Sequence, residues 1–96
     1  MRREADRAAE KLGKQREKLA GLEPGGAADH PIDVATAAVI EPHARSIPCP
    51  RCGEQPTRLE EHEAREIDGR RLRVVRVACP RCGAGRAIYF RIVMPS

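Results

Sequence analysis

Apolar and polar positions divide the chain into three stretches. From Arg2 to Leu22, Ala5, Ala8, Leu12, Gln15, Leu19 and Leu22 recur at alternating steps of three and four, the a/d spacing of a heptad seam. Most of the other positions are charged, and Glu10–Lys14 is a favourable i, i+4 pair. The seam is thin: it contains two alanines and a glutamine, and Gly13 costs a helix interior about 1 kcal/mol relative to alanine. Pro24-Gly25-Gly26 then stops the helix and opens a linker. Beyond it Ile32, Val34, Thr36, Ala38 and Ile40 alternate between Pro31 and Pro42, which predicts a strand over 32–40 followed by an extended stretch to Pro48.

The third stretch reads as β structure. Thr57–Ile67 and Arg70–Ala78 are strand candidates joined by Asp68-Gly69, a strong signal for a two-residue type I′ hairpin turn. That turn fixes the register, setting Glu66 opposite Arg71, Glu61 opposite Arg76, Glu60 opposite Val77 and Leu59 opposite Ala78. Arg86–Met94 is a third strand, with Arg86, Ile88, Phe90, Ile92 and Met94 on one face and Pro95 closing it. Ile88 and Phe90 are the expected centre of the core. The implied organisation is an N-terminal amphipathic helix over 1–23, a linker over 24–46 with a strand at 32–40, and a three-stranded antiparallel unit over 47–96.

That last unit carries one five-residue word twice. Cys49-Pro50-Arg51-Cys52-Gly53 recurs as Cys79-Pro80-Arg81-Cys82-Gly83, and these are the only four cysteines. Paired Cys-x-x-Cys hooks read as a four-thiolate tetrahedral metal site, because two intervening residues let one tight turn aim both sulfurs at a single ion. Gly53 and Gly83 follow where the chain must turn away, and Pro50 and Pro80 reduce the entropy lost on ordering each hook. The register of the hairpin brings Cys52 towards the level of Cys79 and Cys82, as a shared ion requires. Rubredoxin-like iron sites use similar hooks, but the aromatic-rich core that accompanies them is missing here. Redox or other thiol chemistry is a further alternative, and a closed site of four thiolates leaves no open position for catalysis.

With its repeated knuckles and hairpin-like spacer, the segment from about Ile47 to Met94 resembles the zinc ribbon superfamily. The resemblance implies that Cys49, Cys52, Cys79 and Cys82 are zinc ligands. It also implies that each hook ends a hairpin and that a third strand completes a small antiparallel sheet. It implies no particular function, since zinc ribbons serve many unrelated roles. Ribbons of transcript-cleavage elongation factors carry adjacent Asp and Glu at the hairpin tip; Glu66-Ile67-Asp68-Gly69-Arg70 has no such pair.

Composition sharpens this expectation. The chain has 96 residues with one Phe, one Tyr and no Trp, too little for a large core, so a metal is needed as a staple. A structural zinc supplies an apparent folding free energy of roughly 10–16 kcal/mol. The formal net charge is +4, well short of a strong nucleic-acid footprint. Arg2 and Arg3 are followed by no apolar h-region, and Val34–Ile40 is too short to span a bilayer. A cytoplasmic location and metal-bound rather than disulfide-bonded cysteines follow as expectations. His30, His43 and His62 are expected at the surface and not as ligands.

The functional expectation is therefore non-enzymatic: a zinc-binding protein-interaction adaptor or subunit of a larger assembly. Its partner, or a second copy, would be met through the helix or the linker strand. The alternative is a nucleic-acid-binding accessory using Arg70, Arg71, Arg73 and Arg76, although few aromatics are present to stack on bases. For those arginines and Arg65 the plainer expectation is cross-strand pairing with Glu60, Glu61, Glu63 and Glu66.

Overall fold

The computed structural model describes residues 2–94. Helix α1 (Arg2–Ala20) leads into strand β1 (Ile32–Val34), a 3-10 turn (Ala37–Val39), helix α2 (Ile40–Ser46), and strands β2 (Arg58–Ile67), β3 (Arg70–Ala78) and β4 (Gly85–Ile92). They form one sheet of order β1-β4-β3-β2, with β1 parallel to β4 and the other neighbours antiparallel. The sheet thus has four strands, one more than the three expected, because the linker contributes β1.

The expected strand over 32–40 survives only at Ile32–Val34. The alternation through Thr36, Ala38 and Ile40 is coincidental, since Ala35, Ala37 and Ala38 are poor strand formers. Pro42 does not bracket a strand. It sits in the first turn of α2, where a missing N–H leaves no intrahelical bond unmade. Glu41 in that first turn and Arg45 in the last complement the helix dipole. A seven-residue helix has little stability of its own. Ile40 and Ala44, one turn apart and both fully buried, hold it on the sheet.

Those two residues join Val34, Val75, Val77, Ile88 and Phe90 in the core, with Ile32, Ile47, Leu59 and Ile92 packed at its margin. Ile88 and Phe90 are fully buried, as expected from their shared face, whereas Met94 is 87% exposed and Pro95 lies outside the described residues.

Asp68 and Gly69 have φ of 51° and 75°, the left-handed pair that a type I′ turn requires. The expected register holds from Ile67↔Arg70 to Glu61↔Arg76 and then shifts, so that Leu59 faces Val77 and Arg58 faces Ala78. The bulge has a physical reason. Unbroken alternation would put Leu59 on the side of Glu61, Glu63 and Arg65, whereas one extra residue turns it to the side of Val75 and Val77.

The linker is not free. Gly25 donates its N–H to the His30 carbonyl (2.7 Å) and accepts from the Tyr89 N–H (2.8 Å), pinning the segment to β4. With φ of +85° and Ile32 Cδ1 2.7 Å from where a Cβ would stand, only glycine fits at position 25. The His30 ring reaches back to the Gly21 carbonyl (Nε2···O 2.9 Å), closing this loop under the end of α1.

Helix α1 meets the rest of the chain along one line. Ala20 is buried, Glu17 pairs with Arg51 (3.0 Å), and Gly13 is buried against the Arg51 side chain. Gly13, read from the sequence as a helix defect, is where Arg51 crosses the helix: a Cβ there would lie 3.2 Å from its Nε.

Candidate metal centre

Cys79 and Cys82 lie between β3 and β4, while Cys49 and Cys52 lie in the loop from α2 to β2. The two hooks have almost the same backbone. Cys49 N–H donates to the Glu54 carbonyl (3.0 Å) and Cys79 N–H to the Ala84 carbonyl (2.9 Å). Gly53 N–H closes on the Cys49 carbonyl (2.8 Å) and Gly83 N–H on that of Cys79 (2.9 Å), each glycine at φ of 77°. Identical words therefore make matching turns, and the glycines are required by conformation.

The folding of β3 against β4, with α2 returning the chain to the same end of the sheet, brings the hooks face to face. Cys49 and Cys82 sulfurs are 3.6 Å apart, those of Cys52 and Cys79 3.4 Å, and all four lie within 4.8 Å of one another. A tetrahedron with zinc–sulfur bonds of about 2.3 Å has edges of about 3.8 Å, so the cluster has the right size and donor set for one thiophilic ion. Cys49 and Cys79 are buried, Cys52 is half-buried and Cys82 is exposed. The four cysteines expected as ligands are thus brought together; among the described residues the cluster is made of cysteines.

The thiols influence one another strongly. At Cys79 the Cys82 N–H is the largest influence and lowers the pKa; burial opposes it, while the Arg81 N–H and the thiols of Cys52 and Cys82 carry it to about 6. At Cys52 the Glu54 N–H pulls downward, but the thiols of Cys79, Cys49 and Cys82 and burial together push it up to about 12. Cys82 is also raised: the lowering by the Ala84 N–H is outweighed by burial and by the thiols of Cys49 and Cys79. Sulfurs this close favour one thiolate at the expense of its neighbours. A bound dication removes that conflict by compensating all four.

The arginines of the two words do different work. Arg51 reaches Glu17 on α1, whereas Arg81 reaches Glu54 just beyond the other hook (3.3 Å). Half-buried Arg86 has its pKa lowered by desolvation, against the favourable charges of Glu23 and Cys49. The hairpin arginines form no single patch. In register, Arg70 and Arg76 share a face with Leu72 and Val74, and Arg71 and Arg73 lie on the other with Val75. Glu66 and Glu61 stand opposite Arg71 and Arg76 as expected, but among the described residues no ion pair within 4.0 Å joins them; Arg65 pairs instead with Glu63 along its own strand (2.8 Å).

Two contacts escaped the sequence reading. His62, expected at the surface, has a side chain only 14% exposed, with Nδ1 2.7 Å from Glu41 Oε2, tying β2 to the first turn of α2. Arg45 and Thr57 clasp the other end: Arg45 Nε donates to the Thr57 carbonyl (3.1 Å), and Thr57 N–H donates to the Arg45 carbonyl (3.0 Å). Neither is visible in sequence, because both depend on α2 being a helix.

The fold and site define a small, mostly antiparallel β module with a four-cysteine cluster able to hold a metal ion. Comparison with protein-family models, with curated proteins and with solved structures gives no match. Among the described residues, no helix is long and apolar enough to cross a membrane.

Proposed function

We propose that the chain is a non-enzymatic zinc-ribbon module, with Zn²⁺ on Cys49, Cys52, Cys79 and Cys82, that acts as an adaptor or subunit in a larger assembly. Zinc is the reading best supported for four thiolates in a closed cluster around a small core. A cytoplasmic setting suits cysteines held as thiolates.

The observation that carries the adaptor reading is the apolar stripe left uncovered on α1. Leu12 is 48% exposed and Leu19 61%, with Leu22, just past the end of the helix, at 73%, although the same helix is anchored through Gly13, Glu17 and Ala20. Of the expected seam, Ala8 and Gln15 are exposed too, and the side chain of Ala5 lies outside the described residues. An anchored helix with a bare leucine row is suited to docking. The linker strand is less suited, because β1 is only three residues long. The nucleic-acid reading has weaker support, since its arginines are divided between two faces.

The test is the assembly mass of the full chain in extract of its native host, compared with a Leu12→Glu/Leu19→Glu chain. The parent is expected in a complex that persists at high salt, and the double variant as a monomer that retains one zinc. A parent chain that sediments as a monomer removes the reading.

A further inference from the structure

The charges bordering the leucine stripe say what would sit on it. At 100° per residue, Gly13, Glu17 and Ala20 share the anchored side of α1, and Leu12 and Leu19 lie together about a third of a turn away. Arg16 borders that stripe on one side, Lys11 and Lys18 on the other. Between Glu10 and Ala20 the acidic residues lie far from the stripe: Glu10 is on the opposite side of the helix, and Glu17 is engaged with Arg51. Lys11, Arg16 and Lys18 are all exposed, and none makes an ion pair among the described residues. The stripe thus runs between two basic rails.

A second copy fits this surface poorly. With Leu12 and Leu19 at a positions, Lys11 and Lys18 occupy g and Arg16 occupies e. Over the segment from Glu10 to Ala20, a parallel pair of copies sets Lys11 against Arg16, and an antiparallel pair sets lysine against lysine and arginine against arginine. Like charges there oppose pairing, while carboxylates favour it. Resting on the adaptor reading above, we infer that α1 receives an amphipathic helix of a different protein, one whose apolar seam is bordered by Asp and Glu. The leucines supply the buried area, and the rails select the partner and speed encounter.

The experiment titrates the full, metal-loaded chain with three designed helical peptides of four heptads, followed by calorimetry. One carries leucine at a and d with glutamate at e and g, one has lysine at e and g, and one has the glutamate composition with its heptads scrambled. The glutamate peptide is expected to bind best at low salt, tighter than the lysine peptide on the order of tenfold or more, with the difference shrinking as salt rises. The scrambled peptide is expected not to bind. Lys11→Glu/Arg16→Glu/Lys18→Glu, all at exposed positions, should reverse the preference.

Equal binding of both heptad peptides, or a stable dimer of the chain alone, overturns the acidic-partner inference while keeping the stripe as a docking surface. Binding of the scrambled peptide as well as the ordered one reduces the effect to bulk charge and overturns the inference. No binding of any peptide, with a monomeric chain, overturns both this inference and the adaptor reading.

Discussion

Replacing Gly13 with alanine separates a docked helix from a solvated one. In an exposed helix interior the change stabilises by about 1 kcal/mol, because alanine has less backbone entropy to lose. Here the new Cβ would stand 3.2 Å from Arg51 Nε and 3.3 Å from its Cγ. Arg51 must therefore move by a few tenths of an ångström, away from a Glu17 partner at 3.0 Å. Both side chains are more than a third exposed, so the pair is worth about 0.2–1 kcal/mol. The net gain in the intact chain should be smaller than 1 kcal/mol by about that amount. In an Arg51→Ala background the full gain should return. Amide exchange of α1 measures the cycle: the protection gained from Gly13→Ala should be about 1.4- to 5-fold larger without Arg51 than with it. The same gain in both backgrounds would mean that α1 does not lie on the hook, and the anchoring described above would be wrong.

Gly69→Val should lower stability to urea by roughly 1–2 kcal/mol, because a β-branched residue resists the φ of 75° at that turn; an unchanged midpoint would contradict the type I′ assignment. Phe90→Ala should cost about 3–5 kcal/mol, since the ring is fully buried between α2 and the sheet, and a smaller loss on the same urea curve would count against that packing. Asp33→Asn should reduce exchange protection of the Val93 N–H, which bonds the Val34 carbonyl at the end of β1. Hydrogen bonds from Arg91 hold the Asp33 carboxyl below its ordinary value, so its contribution is complete above about pH 4 and lost only as pH falls through the depressed pKa. The difference between parent and variant should therefore be the same in neutral and mildly acidic samples. Chelation, or Cys79→Ser, should unfold the β module, because an apparent metal-binding free energy of about 10–16 kcal/mol matches or exceeds the whole stability of an ordinary domain; a strand spectrum unchanged in chelator would show that the core suffices alone.

Legibility followed the range of the determinants. The hooks are local, and their glycines, proline stiffening and cysteine spacing are all written within five residues. The hairpin turn is local too, and its register could be counted outward from Asp68-Gly69 as far as Glu61. The count failed at Glu60 because the bulge answers to Leu59, whose preferred side is decided by a core that the strand itself does not specify. α2 was missed for a related reason. Pro42 is compatible with the end of a strand and with the first turn of a helix, and only the burial of Ile40 and Ala44 on the sheet distinguishes them. Pro24-Gly25-Gly26 reads as the helix stop, whereas α1 ends earlier, at Ala20, and the close contact of Gly25 with Ile32 and β4 is not legible in the sequence.

The two copies of the repeated word show where local sequence stops deciding structure. Their backbones coincide in hydrogen bonds and in glycine φ, so the pentapeptide makes the same turn in both places. The arginine at its centre has no such autonomy. At Arg51 the neighbour is α1, and the side chain bridges the cysteine cluster to the helix through Glu17 and Gly13. At Arg81 the neighbour is Glu54, and the same side chain joins one hook to the other. Each arginine extends from a turn whose flanking cysteines belong to the candidate ion site, so loss of an ion bound there should free both contacts together. The hooks therefore do more than close the sheet. Through Arg51, the four sulfurs help set where the leucine stripe points, and chelation should loosen α1 in the same step that opens the cluster.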